Sequence, residues 1–576
     1  MCGINGIYKY NKITTEDITK IELMNQGMLY RGPDEQDIWH NELVAIGHVR
    51  LSIIALNNGH QPLFNENKSI SLVCNGEIYN HYELRVSLLA LGHKFSTESD
   101  CEVILHLYEE YGEKLFDYLN GMFAFALFDS KNNKLLLGRD RLGKKPLYYC
   151  NTPKGLVFSS EIKAIKNNWI PYPQINHNII NQIIERSFSL SPNETYIKSI
   201  NKLKPGCFIV TNSDQIIEKQ YWKREITNTY TDSYSKAKDD ILKYIEDAVK
   251  IRLESEVPMA VLLSGGIDST TIAHFAKKHK SDIKAITLGY KGDHDCDESY
   301  LAERFAKEKS IELIKLELDE NDYESYLHEF LPILDEPNGD IATFAQWGLY
   351  KKSKELGFKV LLSGNGGDEL FFGYPSYNHT AIKIELLNKF YKKYLPIFSY
   401  KAFAKLLLGL IKENRLIRNF KPELNIEPFY NSVFNAEDGT PLITPNSYFN
   451  SNINIQDSIY EFVFNIWLTN NCFQLSDKLG MGNTIEIRSP FADINLIEFV
   501  HSLPLSYRFN EFTQKKLLRD SLVNIIPDFI LNQPKRGFTP PVSFVDNILP
   551  KQYTHNNKYP FPYAKFTTEY FINSKY

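Results

Sequence analysis

In this 576-residue chain, the residues best suited to chemistry sit in two glycine-rich loops and at position 2. Val261-Leu262-Leu263-Ser264-Gly265-Gly266-Ile267-Asp268-Ser269-Thr270 reads as an apolar strand that passes through Ser-Gly-Gly into a helix. Such a loop turns backbone N–H groups and a helix N-terminus toward an anion, and its glycines let phosphate oxygens come close. Residues 264–269 are therefore expected to hold a pyrophosphate. A second apolar run ends in Leu362-Ser363-Gly364-Asn365-Gly366-Gly367-Asp368-Glu369, at the carboxyl end of an expected parallel strand, where open α/β sheets place ligands. Asp268 and Asp368 would then share a magnesium ion with the triphosphate of ATP, because that hard cation is commonly held by one or two carboxylates plus phosphate oxygens. Either aspartate alone reads as an ordinary helix cap; the pairing of two loops carries the expectation.

Cys2 follows the initiator methionine, with the small Gly3 next to it. Removal of Met1 would leave a terminal cysteine whose own α-amine, with a pKa of about 8, could act as base for its thiol. A second-position cysteine is more often incidental, so this reading depends on what accompanies it. Three other segments imitate motifs. Gly138-Arg139-Asp140-Arg141-Leu142-Gly143-Lys144-Lys145 has Lys145 where a Walker loop needs Ser or Thr, and reads as a turn between strands. Asp293-His294-Asp295-Cys296-Asp297 has Glu298 at the glycine position of a calcium loop and reads as a solvated acidic loop. The basic, aromatic run 389–394 reads as an amphipathic helical surface and not a nucleic-acid groove.

These residues need a scaffold of at least two units, since one hydrophobic core does not grow to this length. Short apolar segments at 44–48, 70–73, 123–128, 135–138 and 156–159, bounded by turn residues, predict a sheet-rich first domain, 1–210. From about Ser233 apolar runs at 259–263, 284–288, 312–316 and 359–362 alternate with helical periodicity, which predicts a doubly wound parallel sheet in a second domain, 230–576. The last two hundred or so residues read as mainly helical, and the segment 377–460 carries no recognisable chemistry. The balance of 65 basic and 70 acidic residues creates no field that would draw nucleic acid or an anionic membrane. Seven cysteines without metal spacing argue against a disulfide scaffold or zinc motif and for a reducing, cytoplasmic setting. The N-terminus shows no basic stretch before an apolar core, and the run 403–411, interrupted by Lys405, is too short to span a bilayer.

Cys2 is followed, in order, by Arg31-Gly32-Pro33-Asp34, Arg50-Leu51-Ser52-Ile53, Asn75-Gly76-Glu77-Ile78-Tyr79-Asn80 and Ser99-Asp100-Cys101-Glu102. With the two glycine loops, Arg488-Ser489-Pro490-Phe491 and Lys535-Arg536-Gly537-Phe538, this ordered set resembles the glutamine-dependent asparagine synthetases over nearly the whole chain. The resemblance implies an α+β N-terminal-nucleophile glutaminase sandwich followed by an α/β ATP-pyrophosphatase domain with a helical C-terminal part. It implies that Cys2 attacks the glutamine amide, that Asn75 and Gly76 donate to the oxyanion, and that Arg50 and Asp100 grip the substrate's carboxylate and α-amine with Glu77 beside them. It also implies Leu263 and Leu288 near the adenosine, Ser363 and Gly364 on the nucleotide, residues 264–269, including Ser264, Gly265, Gly266 and Ser269, around the pyrophosphate, and Lys535 neutralising charge as pyrophosphate leaves.

On that pattern a carboxylic acid is activated as an acyl-adenylate and amidated by ammonia from glutamine, through a closed passage between the sites. A homodimer is a further expectation. The chain departs from the family at Asn365, where an acidic residue is usual, and at Ser489, where valine is usual and the acceptor pocket is expected. An amide cannot act as a base near neutral pH, so pyrophosphate or Asp340 would have to take the proton. The acceptor therefore stays open between aspartate and another carboxylate, such as a sugar uronic acid.

Overall fold

The computed structural model describes residues 2–212, 215–375, positions 377, 378, 381, 382 and 385, and then 454–535, 537–553 and 562–573. The segment 377–460 lies mostly outside the described residues, as do the runs 389–394 and 403–411 and Arg536.

Twelve strands build the first unit: β1 (Cys2–Lys9), β2 (Glu35–His40), β3 (Val44–Arg50), β4 (Leu63–Phe64), β5 (Ile70–Ile78), β6 (Gly121–Asp129), β7 (Lys134–Arg139), β8 (Tyr148–Thr152), β9 (Gly155–Ser159), β10 (Asn201–Lys202), β11 (Cys207–Asn212) and β12 (Gln215–Gln220). They form two six-stranded antiparallel sheets, in the orders β10-β8-β9-β1-β3-β2 and β12-β11-β7-β6-β5-β4. Side chains alternate across each strand, which sets the layers. Ile4 and Tyr8 of β1 meet Val73, Ala126 and Phe128 in a core between the sheets. Ile7 of the same strand packs on the other face with Ile21 and Met24 of the helix Thr15–Gly27. On the far side, Leu72 and Phe125 meet Leu84 and Leu88 of the helix His81–Ala90 and Leu107 of the helix Val103–Tyr111. The unit is a helix–sheet–sheet–helix sandwich, and the expected strands all form. β12 carries the second sheet to Gln220, so the sandwich continues past the expected limit of 210.

The second unit holds five parallel strands: β13 (Met259–Leu262), β14 (Lys284–Tyr290), β15 (Glu312–Leu318), β16 (Val360–Leu362) and β17 (Glu486–Arg488), in the order β15-β14-β13-β16-β17. The chain winds outward from β13 to β15, then returns to place β16 on the other side of β13. The carboxyl ends of β13 and β16 therefore flank the switch point where a doubly wound sheet opens a ligand crevice. The C-terminal part is mainly helical, as expected, and β17 is a short strand within it that the sequence does not announce. Three residues, two of them charged, leave no apolar run to detect. The C-terminal helix Pro562–Asn573 packs back on the helix His177–Arg186 of the first unit, with the Tyr196 and Phe571 rings 5.7 Å apart. Among the described residues no helix is long and apolar enough to cross a membrane.

Candidate active sites

β1 and β3 pair so that Cys2 lies across from Arg50, and β5 runs beside them. The Cys2 backbone nitrogen donates to Asn75 Oδ1 at 3.0 Å. The other end of that amide, Asn75 Nδ2, is buried with no hydrogen-bond partner. A buried donor left without an acceptor costs roughly 1–3 kcal/mol, so this amide has a hydrogen bond to give to an incoming acceptor. The Cys2 side chain is buried; burial pushes its thiol up, and the positive chain terminus, the Leu51 N–H and the Arg50 charge oppose the rise. Asp100 opens a short 3-10 turn, Asp100–Glu102, and its Oδ2 accepts from the Ile78 N–H at 2.6 Å, next to Glu77. Burial raises the carboxyls of both Asp100 and Glu77. Cys2, Arg50, Asn75, Gly76, Glu77 and Asp100 are thus brought to one end of the two sheets. Arg50 is already engaged: its guanidinium donates to both Glu35 oxygens at 3.1 Å and to the carbonyls of Ile54 and Ala55. A ligand carboxylate there has to join or displace Glu35.

The second site is a cavity of about 420 Å³ at the carboxyl ends of β13, β14 and β16. Leu263, Ser264, Gly265, Gly266, Asp268, Ser269, Leu288, Ser363, Gly364, Asp368 and Lys535 all line it. Gly265 takes φ +79, and a Cβ there would stand 2.7 Å from Leu301 Cβ, so the turn into the helix Ile267–His279 needs glycine. The Ser264 N–H donates to Ser269 Oγ at 3.1 Å, tying the loop to the first turn of that helix. Asp268 and Asp368 meet at one wall. Lys515 pairs with Asp268, and also with Asp368 at 2.7 Å; Lys535 pairs with Asp368 at 2.7 Å. Burial would raise both carboxyls. The two ammonium groups overcome it at Asp368, held down to about 2, whereas Asp268 remains raised. Asp268 Oδ1 is buried without a hydrogen-bond partner, an arrangement that fits a cation arriving with a polyphosphate.

Asn365 lines the same cavity and donates from Nδ2 to Ser476 Oγ at 2.8 Å. Asp340 faces it too, accepting from Asn471 Nδ2 at 2.7 Å. Ser489 follows Arg488, whose carbonyl accepts from the N–H of the cavity-lining Ser363 at 2.8 Å. It is buried at the start of the turn Pro490–Ala492, directly after β17, and is not among the described residues lining the cavity. Several lining groups escape a sequence reading. Lys515 has no motif around it, and only the fold brings it to two aspartates far away in sequence. Glu369 accepts from Tyr374 at 2.5 Å, and burial with the Asp368 charge pushes its carboxyl up to about 7. Trp467, Asn471 and Cys472 come from a π-helical stretch, Val463–Phe473, whose wide turn is a frequent mark of functional helices.

Buried charges join the two units. Arg488 on β17 stands 3.3 Å from Glu77 of β5. Arg31 donates from Nε to the Cys2 carbonyl at 3.2 Å and pairs with Glu161 at 2.6 Å and with Asp477 of the second unit at 2.7 Å.

Residues 1–222 match the family described as glutamine amidotransferase domain, and residues 240–549 match asparagine synthase. Asparagine synthetase [glutamine-hydrolyzing] 3 of Bacillus subtilis (strain 168) is 30% identical over 562 residues, covering 93% of this chain and 87% of that protein. Asparagine synthetase [glutamine-hydrolyzing] 1 of the same organism is 31% identical over 561 residues, 94% of this chain and 87% of its own length. A protein named Amidase chyE, from Penicillium rubens, is 26% identical over 621 residues, covering 94% of this chain and 89% of its own. With both catalytic units matched in order and over nearly their full length, the chain belongs to the family of glutamine-hydrolysing asparagine synthetases, ATP-dependent ligases that carry a glutamine amidotransferase unit.

Proposed function

We propose that this chain makes asparagine from aspartate, ATP and glutamine. The observation that carries the proposal is the pairing, in one chain, of an Asn75-clamped Cys2 with a cavity walled by Asp268, Asp368, Lys515 and Lys535. With Met1 removed, the Cys2 nitrogen is an amine placed to take the thiol proton. The thiolate adds to the glutamine side-chain carbonyl, Asn75 Nδ2 donates to the oxyanion, and ammonia leaves a thioester for water to hydrolyse. Arg50 and Asp100 offer one cationic and one anionic partner to the amino-acid end of glutamine.

In the cavity the aspartate side-chain carboxylate attacks the α-phosphorus of ATP, giving an acyl-adenylate and pyrophosphate. Ser264, Gly265, Gly266 and Ser269 cradle the phosphates, Leu263 and Leu288 offer an apolar wall to the nucleoside, Ser363 and Gly364 border it, and Lys535 with Lys515 balances charge as pyrophosphate departs. Asp268 and Asp368 would hold the magnesium of the nucleotide, which screens phosphate charge. Ammonia then attacks the adenylate carbonyl, releasing AMP and the amide. Asn365 cannot accept the proton lost from the ammonia nitrogen; Asp340, in the same cavity, can.

A second reading keeps this chemistry and changes the acceptor to another carboxylate, such as a sugar uronic acid. Asn365 favours it, because the amide stands where the family's acid usually does. ATP/pyrophosphate exchange against a panel of acids separates the two. Exchange stimulated by aspartate is the expected result; exchange with a nucleotide-linked uronate alone would overturn the aspartate assignment.

A further inference from the structure

Outside both sites, the outer helical layer of the first unit gathers two histidines and two glutamates from three segments. Glu66 lies in the loop between β4 and β5, His93 follows the helix His81–Ala90, and His106 and Glu109 lie one turn apart on the helix Val103–Tyr111. One ligand atom from each of the four lies within 4.8 Å of the other three. Two of the separations are already those of a metal site. His93 Nδ1 is 3.5 Å and His106 Nδ1 is 3.0 Å from the same oxygen, Glu109 Oε2. Ligands at about 2.0–2.1 Å around a tetrahedral zinc stand about 3.3 Å from one another.

The far side of the His93 ring agrees, and that of His106 has a carboxylate near it. A metal-bound imidazole commonly directs its other nitrogen at a carboxylate that fixes the tautomer and raises ligand basicity. His93 Nε2 meets Glu110 Oε1 at 2.9 Å. His106 is wholly buried, and its Nε2, without a hydrogen-bond partner, faces Glu102 Oε1 at 3.8 Å. Glu109 is positioned in turn, its Oε1 accepting from Asn65 Nδ2 at 2.7 Å, and Glu66 Oε1 accepts from the Lys94 N–H at 2.9 Å.

We propose that Glu66, His93, His106 and Glu109 form a structural binding site for a divalent ion of the zinc class. Two imidazoles and two carboxylates suit zinc better than the all-oxygen shells of magnesium or calcium. Four protein ligands close the shell, so the ion would brace the helix Val103–Tyr111 directly behind the turn that carries Asp100, and would not itself react.

The test uses the full chain, stripped with EDTA and dialysed, then titrated with Zn2+ alone and separately with Co2+. The expected result is one equivalent of zinc lost by both His93→Ala and Glu66→Gln, a rise in Tm with zinc in the parent but not in His93→Ala, and the strong visible bands of tetrahedral cobalt. Both variants alter side chains that reach solvent and are expected to hydrolyse glutamine at the parental rate. Absence of a bound equivalent, its retention in His93→Ala, or an intense near-ultraviolet thiolate–cobalt band would each overturn the proposal, the last by moving the ion to a cysteine.

Discussion

Asn75 shows how much of the proposed chemistry rests on single polar atoms. Its Oδ1 holds the Cys2 nitrogen, which leaves Nδ2 buried and unsatisfied. If that donor is reserved for the oxyanion, Asn75→Ala should lower kcat for glutamine hydrolysis by about 10²–10³-fold, the usual loss for one oxyanion donor. Cys2→Ala should abolish hydrolysis, and both variants should still make product from added ammonium salts. Glutaminase assays beside ammonia-dependent synthesis check this; parental hydrolysis by either variant would rule the substituted residue out as nucleophile or oxyanion donor. At this scale Cys2, Asn75, Asp268 and Asp368 are legible, because short ordered motifs surround them. Lys515 is not. It follows Gln514 in a stretch with no spacing relation to either aspartate, and its value comes from a position reached only after folding.

The elements that carry the two glycine-rich loops are short, and their close contacts leave little slack. A Cβ on Gly367 would stand 2.6 Å from the Asp268 carboxylate, pressing one loop into the charged group of the other. Gly367→Ala should therefore displace Asp268 and cut ATP/pyrophosphate exchange by about 10²-fold, the scale of loss seen when catalytic groups shift by about 1 Å. Glutamine hydrolysis should stay at the parental rate, which also reports that the variant is folded; unchanged exchange would mean the two loops can part without cost. β13, β14 and β16 are readable because each is an apolar run ending at a turn signal, whereas β15 mixes three charged residues with its apolar ones. β17 is not, since Glu486 and Arg488 are stabilised by tertiary partners: Arg488 pairs with Glu486 at 2.6 Å and with Glu77 across the unit boundary.

Across the whole molecule, buried ions link the sandwich to the parallel-sheet unit. Glu161 pairs with Arg31 at 2.6 Å and with Lys478 of the second unit at 2.8 Å, and Lys478 also reaches Asp335 at 2.8 Å. Burial would raise the Glu161 carboxyl, but Lys478 and Arg31 prevail and hold it down to about 2, against an ordinary value of 4.5. Between those values the unfolded chain binds the proton and the folded one does not. The contribution of Glu161 is then complete above pH 4.5 and disappears as pH falls through 2. Removing one partner of a buried pair costs about 3–5 kcal/mol, so Glu161→Gln should be less stable by that order at about pH 7, with the gap narrowing steadily below about pH 4.5. Asp335, in the same cluster, is raised by burial, so the comparison is of denaturant midpoints for parent and variant at each pH. A gap that stays constant from about pH 7 to about pH 3 would contradict the assignment.

Local order in the sequence was enough to determine the strand-loop-helix character of the two glycine-rich loops and the family, because turn chemistry, apolar periodicity and motif order act over a few residues. Tertiary structure alone decided that Asp268 and Asp368 share Lys515, that a fifth strand completes the parallel sheet, and that Arg31 connects Cys2 to Asp477. Each of these depends on groups far apart in the chain meeting out of water, where charge pairing and exclusion outweigh any preference written into neighbouring residues.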